Sequence, residues 1–465
     1  TTLFTNNAAI DVQGCGEHGL VLYGRQDTVA YPVTINFKNY GDFAIKNTNY
    51  DGILFDSARG ILTAENFGNI DISDTGRRGI LNYNRGSILT ETNLFNFTNS
   101  GTIDIENTLE HAWQNYTYRN SIIDIVNDGD INIKHSKQRG IFNQSDYTES
   151  ETFFTNNGTI NIDTVAQEGL INYTYQDELE GFAKLFFTNN GLINIDSTNR
   201  DTWENYNNRG YMHIVNGENG VMNMKRAIEN GIYNFSREYD ADYYAHQIFE
   251  NYGTIDIDSV GVRGIWNNND RGDTLTFKNY GLIDIHQTHE QGIYNRSFTY
   301  VSEDADFSYE TIITNFNNHG TLNIDSTQQE AIYNYAERAD EMNFTNTGDI
   351  NISRSNKEGI HNRSYNNNME YNTLMSFDSD DGNITITDTE LSGIYNYPQN
   401  DTLIFRNNGN LNISNTGEQG IYNYTYQQQS TILFENDENG LHIRHVHTRF
   451  SFFFSLFFSR LLPKS

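Results

Sequence analysis

The chain has 465 residues, with 61 acidic against 30 basic side chains and a formal net charge of −31. Hydrophobic residues are only 36% of it, yet aromatics reach 13%, with 30 Tyr and 29 Phe, so plain acidic disorder is excluded as its main state. Three prolines exclude collagen-like and polyproline architectures, and the single Cys15 excludes a disulfide framework or a multi-cysteine zinc or iron–sulfur site. The excess of acids disfavours nucleic acid, whose phosphates need a basic face. The chain opens with neither Met nor a basic-then-apolar leader, as expected of a mature product or a fragment.

An internal repeat organises nearly the whole chain. Its first motif reads F-x-N-x-G-x-I-D/N-I, clear from Phe97 to Ile105 and from Phe154 to Ile162. From the N-terminus its glycine slot holds Ala8, then Gly41, Gly68, Gly101 and onward to Gly409, fourteen copies in all, with a degenerate fifteenth from Asn439. Eleven residues after that slot comes a second motif, G-I-Y-N-Y, as at Gly169, Gly292 and Gly420, with Ala112 among the residues that stand in for the glycine. Slot-to-slot intervals run from 27 to 39 residues, and the variation falls after G-I-Y-N. Each copy therefore combines a rigid part with one variable loop.

The rigid part alternates with period two: Phe97, Asn99, Gly101, Ile103 and Ile105 share one face. That is strand patterning with one face buried. The residue after the second glycine slot is apolar in all fourteen copies, including Trp113 and Trp203. The expected fold is all-β: a single-stranded parallel β-helix, or β-solenoid, of about 14–15 coils over residues 1–442. Each coil has three short strands and one variable loop. Ile103, Ile105, Ile160, Ile162, Ile293 and Ile421 are expected in the core. Asn recurs in two inward slots, one running through Asn39, Asn66 and Asn99, the other through Asn82, Asn115 and Asn143. These are expected to form amide ladders between coils. Residues 443–465 break the pattern as an atypical tail, disordered or foreign to the repeat, with an apolar run too short for a membrane span.

The N-x-G-x-I-x-I and G-I-x-N periodicity resembles the parallel β-helix repeats of secreted bacterial surface proteins, of the autotransporter-passenger and large-exoprotein type. It covers roughly residues 1–440. The resemblance implies export, an extracellular or cell-surface location, and roles in adhesion or interaction.

Enzymes that cut acidic polysaccharides also use this fold, with acids on its outer face. Here an outward row includes Asp71, Asp104, Asn132, Asn161, Asp256 and Asp284. Neighbouring coils bring Asp71 near Asp104 and Asp256 near Asp284, but Asn fills most of the row. Calcium has one local candidate, Asp378, Asp380 and Asp381, which resembles the start of an EF-hand loop without its downstream Glu. No catalytic set converges, and no cofactor is expected beyond that calcium candidate. The most repetitive outward feature is aromatic: Tyr233, Trp266, Tyr294, Tyr333, Tyr395 and Tyr422 share one outward slot of the last strand, and Tyr83, Tyr116, Tyr173 and Tyr206 another. Exposed rings in rows bind sugars or partner surfaces. The variable loops carry apolar residues that could cover them, among them Phe182, Leu185, Tyr243, Tyr244, Phe298 and Tyr300. The expected function is that of a non-enzymatic exported β-solenoid, a surface stalk or an adhesive, glycan-binding module. Its expected partners are a glycan or cell surface and the flanking coils of a longer chain, with neither nucleic acid nor a membrane span. The alternative is a polysaccharide-active lyase or hydrolase.

Overall fold

The rigid part of each copy folds as two strands, and the G-I-Y-N segment as a third. In one coil these are Asn93–Asn99, Thr102–Thr108 and Trp113–Tyr118. The structure, a computed structural model, describes residues 1–25, 33–58, 60–86, 93–176, 181–238, 245–271, 273–298, 312–337, 341–366, 373–426, 430–436 and 441–446. Equivalent strands of successive coils pair in parallel, giving sheets of 15, 15 and 14 strands, and there is no helix among the described residues. The expected three-stranded parallel β-solenoid is borne out. At the usual interstrand spacing, fifteen coils make a rod roughly 70 Å long.

The register is like on like. Asn99 lies opposite Asn66 and Asn127, and Ile103 opposite Ile70 and Ile131. The bore is filled by inward columns of the same residue type. In the first sheet Phe249, Phe277, Phe316, Phe344, Phe377, Phe405 and Phe434 stack with centroids 4.6–5.2 Å apart. Ile103, Ile105, Ile160, Ile162 and Ile293 are buried as expected. Ile421 is only partly buried, because among the described residues the third sheet ends on its strand, Ile421–Asn423. Leu185 is a correction: it is no loop residue but sits in the strand Lys184–Asn189, fully buried in the core.

Both asparagine ladders form. In the third sheet eleven consecutive Nδ2-to-Oδ1 bonds of 2.6–2.9 Å run from Asn82 to Asn423. In the first sheet the ladder starts at Asn6 and is interrupted at Ser379, whose hydroxyl accepts from Asn346. There the amides also serve the corner: Asn99 Nδ2 donates to the carbonyls of Gly101 and Asp130. The sequons at Asn115, Asn172 and Asn295 fall in a ladder and are sealed from solvent.

Stacking also dictates the glycine of the first motif. A Cβ on Gly101 would lie 2.0 Å from the carbonyl oxygen of Gly68 in the coil beneath. Six residues beyond that slot the backbone turns through the left-handed region, with φ of 54–62° in thirteen copies. Asn47, Asp74 and Asn107 accept this conformation readily, but Thr164 is β-branched and strained there. The second sheet continues to Leu441–Val446, which pairs in register with Leu411–Thr416. The remainder of the tail, like Tyr243, Tyr244 and Tyr300, lies outside the described residues.

Two substitutions test these columns. Asn172→Ala removes the acceptor of Asn143 and the donor to Asn205. It should cost about 2–5 kcal/mol, since each buried orphan costs about 1–3. A urea midpoint equal to wild type would contradict the ladder. Thr164→Asn relieves the left-handed strain and should raise stability by about 0.5–1 kcal/mol.

Candidate functional site

The outward acid row of the second sheet is where the sequence places it. Asp104 is opposite Asp71, and Asp256 opposite Asp284. Its members are tied up: Asn132 donates to Asp104 at 2.9 Å and Asn323 to Asp284 at 2.6 Å. A lysine does flank each pair, Lys46 at 3.4 Å from Asp71 and Lys225 at 3.8 Å from Asp256. A shallow groove runs over Asp284, His286, Asn323, Asp325 and Asn351. There the Arg354 guanidinium holds the Asp325 carboxyl below its ordinary range. The calcium candidates lie at a corner: Asp378 pairs with Arg406 at 3.2 Å, Asp380 accepts from Asn408 at 3.0 Å, and Asp381 is exposed with φ of 59°.

The aromatic stripe is continuous. Tyr233, Trp266, Tyr294, Tyr333, Tyr395 and Tyr422 occupy one column, and His361, which a reading of the sequence for Tyr and Trp passes over, fills the gap between Tyr333 and Tyr395. Successive centroids are 4.4–6.2 Å apart. The rings mostly lie face to face, so each face is largely occupied by a neighbour and the edges look outward. All are half-buried except Tyr422, which ends the column and is 40% exposed. Burial raises the phenols of Tyr233, Tyr294, Tyr333 and Tyr395, which stay neutral hydroxyl donors. A second column alternates Tyr335, Arg363 and Tyr397, the guanidinium 5.6 Å from each ring. Phe298 lies under Arg296 at 4.5 Å, while Phe182 is exposed.

Beside the ring column runs a row of mostly buried polar side chains, ten residues after each first-motif slot. It includes Asp51, Arg78, His111, Arg139, Glu168, Asp201, Asn230, Arg263, Gln291, Glu330 and Glu358. Its members pair along the rod axis. Arg139 Nε donates to Glu168 at 2.8 Å and Arg200 reaches the same carboxylate. Asn230 donates from its backbone and side chain to Asp201 Oδ1 at 2.9 and 2.7 Å. Burial pushes the Asp201 carboxyl up to about 7, and burial together with Glu168 and Asp201 pushes Glu204 upward. The same burial, helped by Arg139 and Arg78, pushes His111 down to about 3, so its imidazole is neutral. Further along, Lys357 Nζ is 3.1 Å from Glu330, and His361 Nδ1 is 3.8 Å from Glu330 and 3.9 Å from Glu358. Among the described residues, Glu330, Glu358 and His361 are the one trio of acids, histidines or cysteines whose donor atoms gather within 4.8 Å.

No family model matches the sequence, and the comparisons with curated proteins and with solved structures found no match either.

The row gives the chain a pH response. The Asp201 carboxyl titrates at about 7 when folded, against 3.8 ordinarily. Its contribution to stability is therefore full below about 4 and is lost as pH rises to about 7. Asp201→Asn keeps the acceptor for Asn230 and removes the titration. Relative to wild type it should gain stability at pH 8 and little at pH 4, by urea unfolding at both. An equal effect at the two pH values would contradict the raised carboxyl.

Proposed function

We propose that the chain is a non-enzymatic β-solenoid rod, exported and displayed outside the cell, acting as a stalk or adhesive module toward a glycan or cell-surface partner. The observation that carries this reading is the ring column from Tyr233 to Tyr422. It repeats one kind of contact at the inter-coil spacing, and many weak contacts along a stiff rod add through effective concentration. Because the ring faces are largely taken up in stacking, contact is by ring edges and phenolic hydroxyls, with the end of the column at Tyr422 the most accessible ring. The charge of −31 suits a solvated rod that does not associate along its length.

A second reading, a polysaccharide lyase or hydrolase, draws on one observation. Asp201, Glu204 and Glu168 converge with Arg139 and Arg200, and two of the carboxyls are raised. Raised acids beside arginines mark many active sites. Here Glu168, Asp201 and Glu204 are 0%, 1% and 5% exposed, and a polymer cannot reach such groups. The cluster serves the stacking of coils.

A polysaccharide and cell-surface panel, read for both retention and product release, tests the two together. Retention without products is expected, falling about tenfold or more in the double variant Tyr333→Ser, Tyr395→Ser. Reducing ends or unsaturated sugars that disappear in Glu204→Gln, or in Asp256→Asn or Asp284→Asn of the outer row, would replace the stalk by the enzyme.

A further inference from the structure

We propose that Glu330, Glu358 and His361 form a binding site for a divalent transition cation, with Zn²⁺ as the best-suited ion. Glu330 and Glu358 occupy the same slot of adjacent coils, and His361 lies in the outward column next to them. Both glutamates are more than nine-tenths buried, at 4% and 8% exposure. Both ring nitrogens of His361 are buried without a hydrogen-bond partner. Its Nδ1 faces a carboxylate oxygen of each glutamate, at 3.8 and 3.9 Å.

Those distances are too long for hydrogen bonds, which close to about 2.7–3.2 Å. They are near what an ion requires. Tetrahedral bonds of about 2.0–2.2 Å set ligand atoms about 3.3–3.6 Å apart, so the imidazole need close on each carboxylate by only a few tenths of an ångström, and the two carboxylates already lie within 4.8 Å of each other.

The contrast within the buried row sharpens the case. Where two acids adjoin at Glu168 and Asp201, Arg139 and Arg200 lie against Glu168. At Glu330 and Glu358 the third partner is an imidazole, and the one cation on Glu330 is Lys357, 42% exposed and able to swing away. The supporting shell is in place. Gln291 is held at its oxygen by Arg263 and donates to Glu330 Oε2 at 2.9 Å, which orients that carboxylate. Tyr333 and Tyr395 flank the imidazole ring at 4.7 and 4.6 Å and fix its plane. Two oxygens and one imidazole nitrogen suit Zn²⁺ or a neighbouring transition ion, whereas Ca²⁺ takes six to eight oxygens. A bound ion would tie two coils together and leave a coordination position for water or for a partner's oxygen.

The test is isothermal titration of the chelator-stripped full chain with Zn²⁺ and, separately, Ca²⁺, alongside thermal unfolding with and without Zn²⁺. Two variants remove ligands while keeping shape: Glu358→Gln, and His361→Tyr, which leaves an aromatic ring in the column. Lys357→Met removes the competing cation. Wild type should take up Zn²⁺ in preference to Ca²⁺ and melt higher with it. Each ligand variant should fold, lose one equivalent relative to wild type and lose the thermal shift, while Lys357→Met should bind more tightly. Equal Zn²⁺ stoichiometry in wild type and both ligand variants would overturn the site. So would a Zn²⁺ shift in melting that survives in both.

Discussion

Everything in this rod depends on one constraint: parallel, in-register stacking sets each side chain on its own counterpart in the next coil, roughly 4.8 Å away. A residue type is admissible in a column only if it tolerates its own kind, or a complementary kind, at that distance. Phe does so by offset stacking and Ile by methyl contact. Asn does so because an amide is donor at one end and acceptor at the other, so each Nδ2 can feed the Oδ1 of the following coil. Glycine at the first-motif corner follows from the same rule, since the backbones there approach too closely for a Cβ.

Charge is what such a column tolerates least. Like charges one coil apart repel, and the penalty grows when water is excluded. The outer acid row is diluted with Asn for this reason: an amide that donates to the aspartate before it, as Asn132 does to Asp104, turns repulsion into a hydrogen bond. Where acids still adjoin, at Asp71 with Asp104 and at Asp256 with Asp284, a lysine lies beside the pair. In the buried row the remedy is alternation, Asp51 with Arg78 and Arg139 with Glu168. Where alternation lapses, at Glu168 beside Asp201 and at Glu330 beside Glu358, balancing charge comes from outside the acid pair, from Arg139 and Arg200 on Glu168 and from Lys357 on Glu330.

Most of the fold was legible because inward columns repeat the same letters. Asn99, Gly101 and Ile103 recur in sequence as they recur in space, and insertions confined to one loop leave their spacing intact. The buried polar row was missed because its letters change from coil to coil. What persists is a polarity, not an identity, although the slot before the second-motif glycine is polar in every one of the fourteen copies and was a usable signal. His361 was missed for a related reason: a pattern of Tyr and Trp does not include an imidazole that packs as a ring. The left-handed position escaped because thirteen copies fill it with residues as different as Asn47, Thr164 and Arg226. Stacking, not local preference, imposes that conformation.

The hydrogen bonds between the two acidic lapses show how one residue can set the direction of its neighbours. Arg263 lies between them and donates to both neighbouring amides, from its backbone N to Asn230 Oδ1 and from Nε to Gln291 Oε1. Each amide so engaged has its oxygen filled and must point its nitrogen onward. Asn230 Nδ2 therefore meets Asp201, and Gln291 Nε2 meets Glu330. Two carboxylates four coils apart, roughly 19 Å along the axis, are thus each supplied with a donor whose orientation was fixed by the same arginine. Reversing either amide would set oxygen against oxygen at one end and nitrogen against an N–H of Arg263 at the other, the backbone N–H for Asn230 and the guanidinium for Gln291. The donors thus run outward from Arg263 in both directions along the row, and the acids sit where each run terminates.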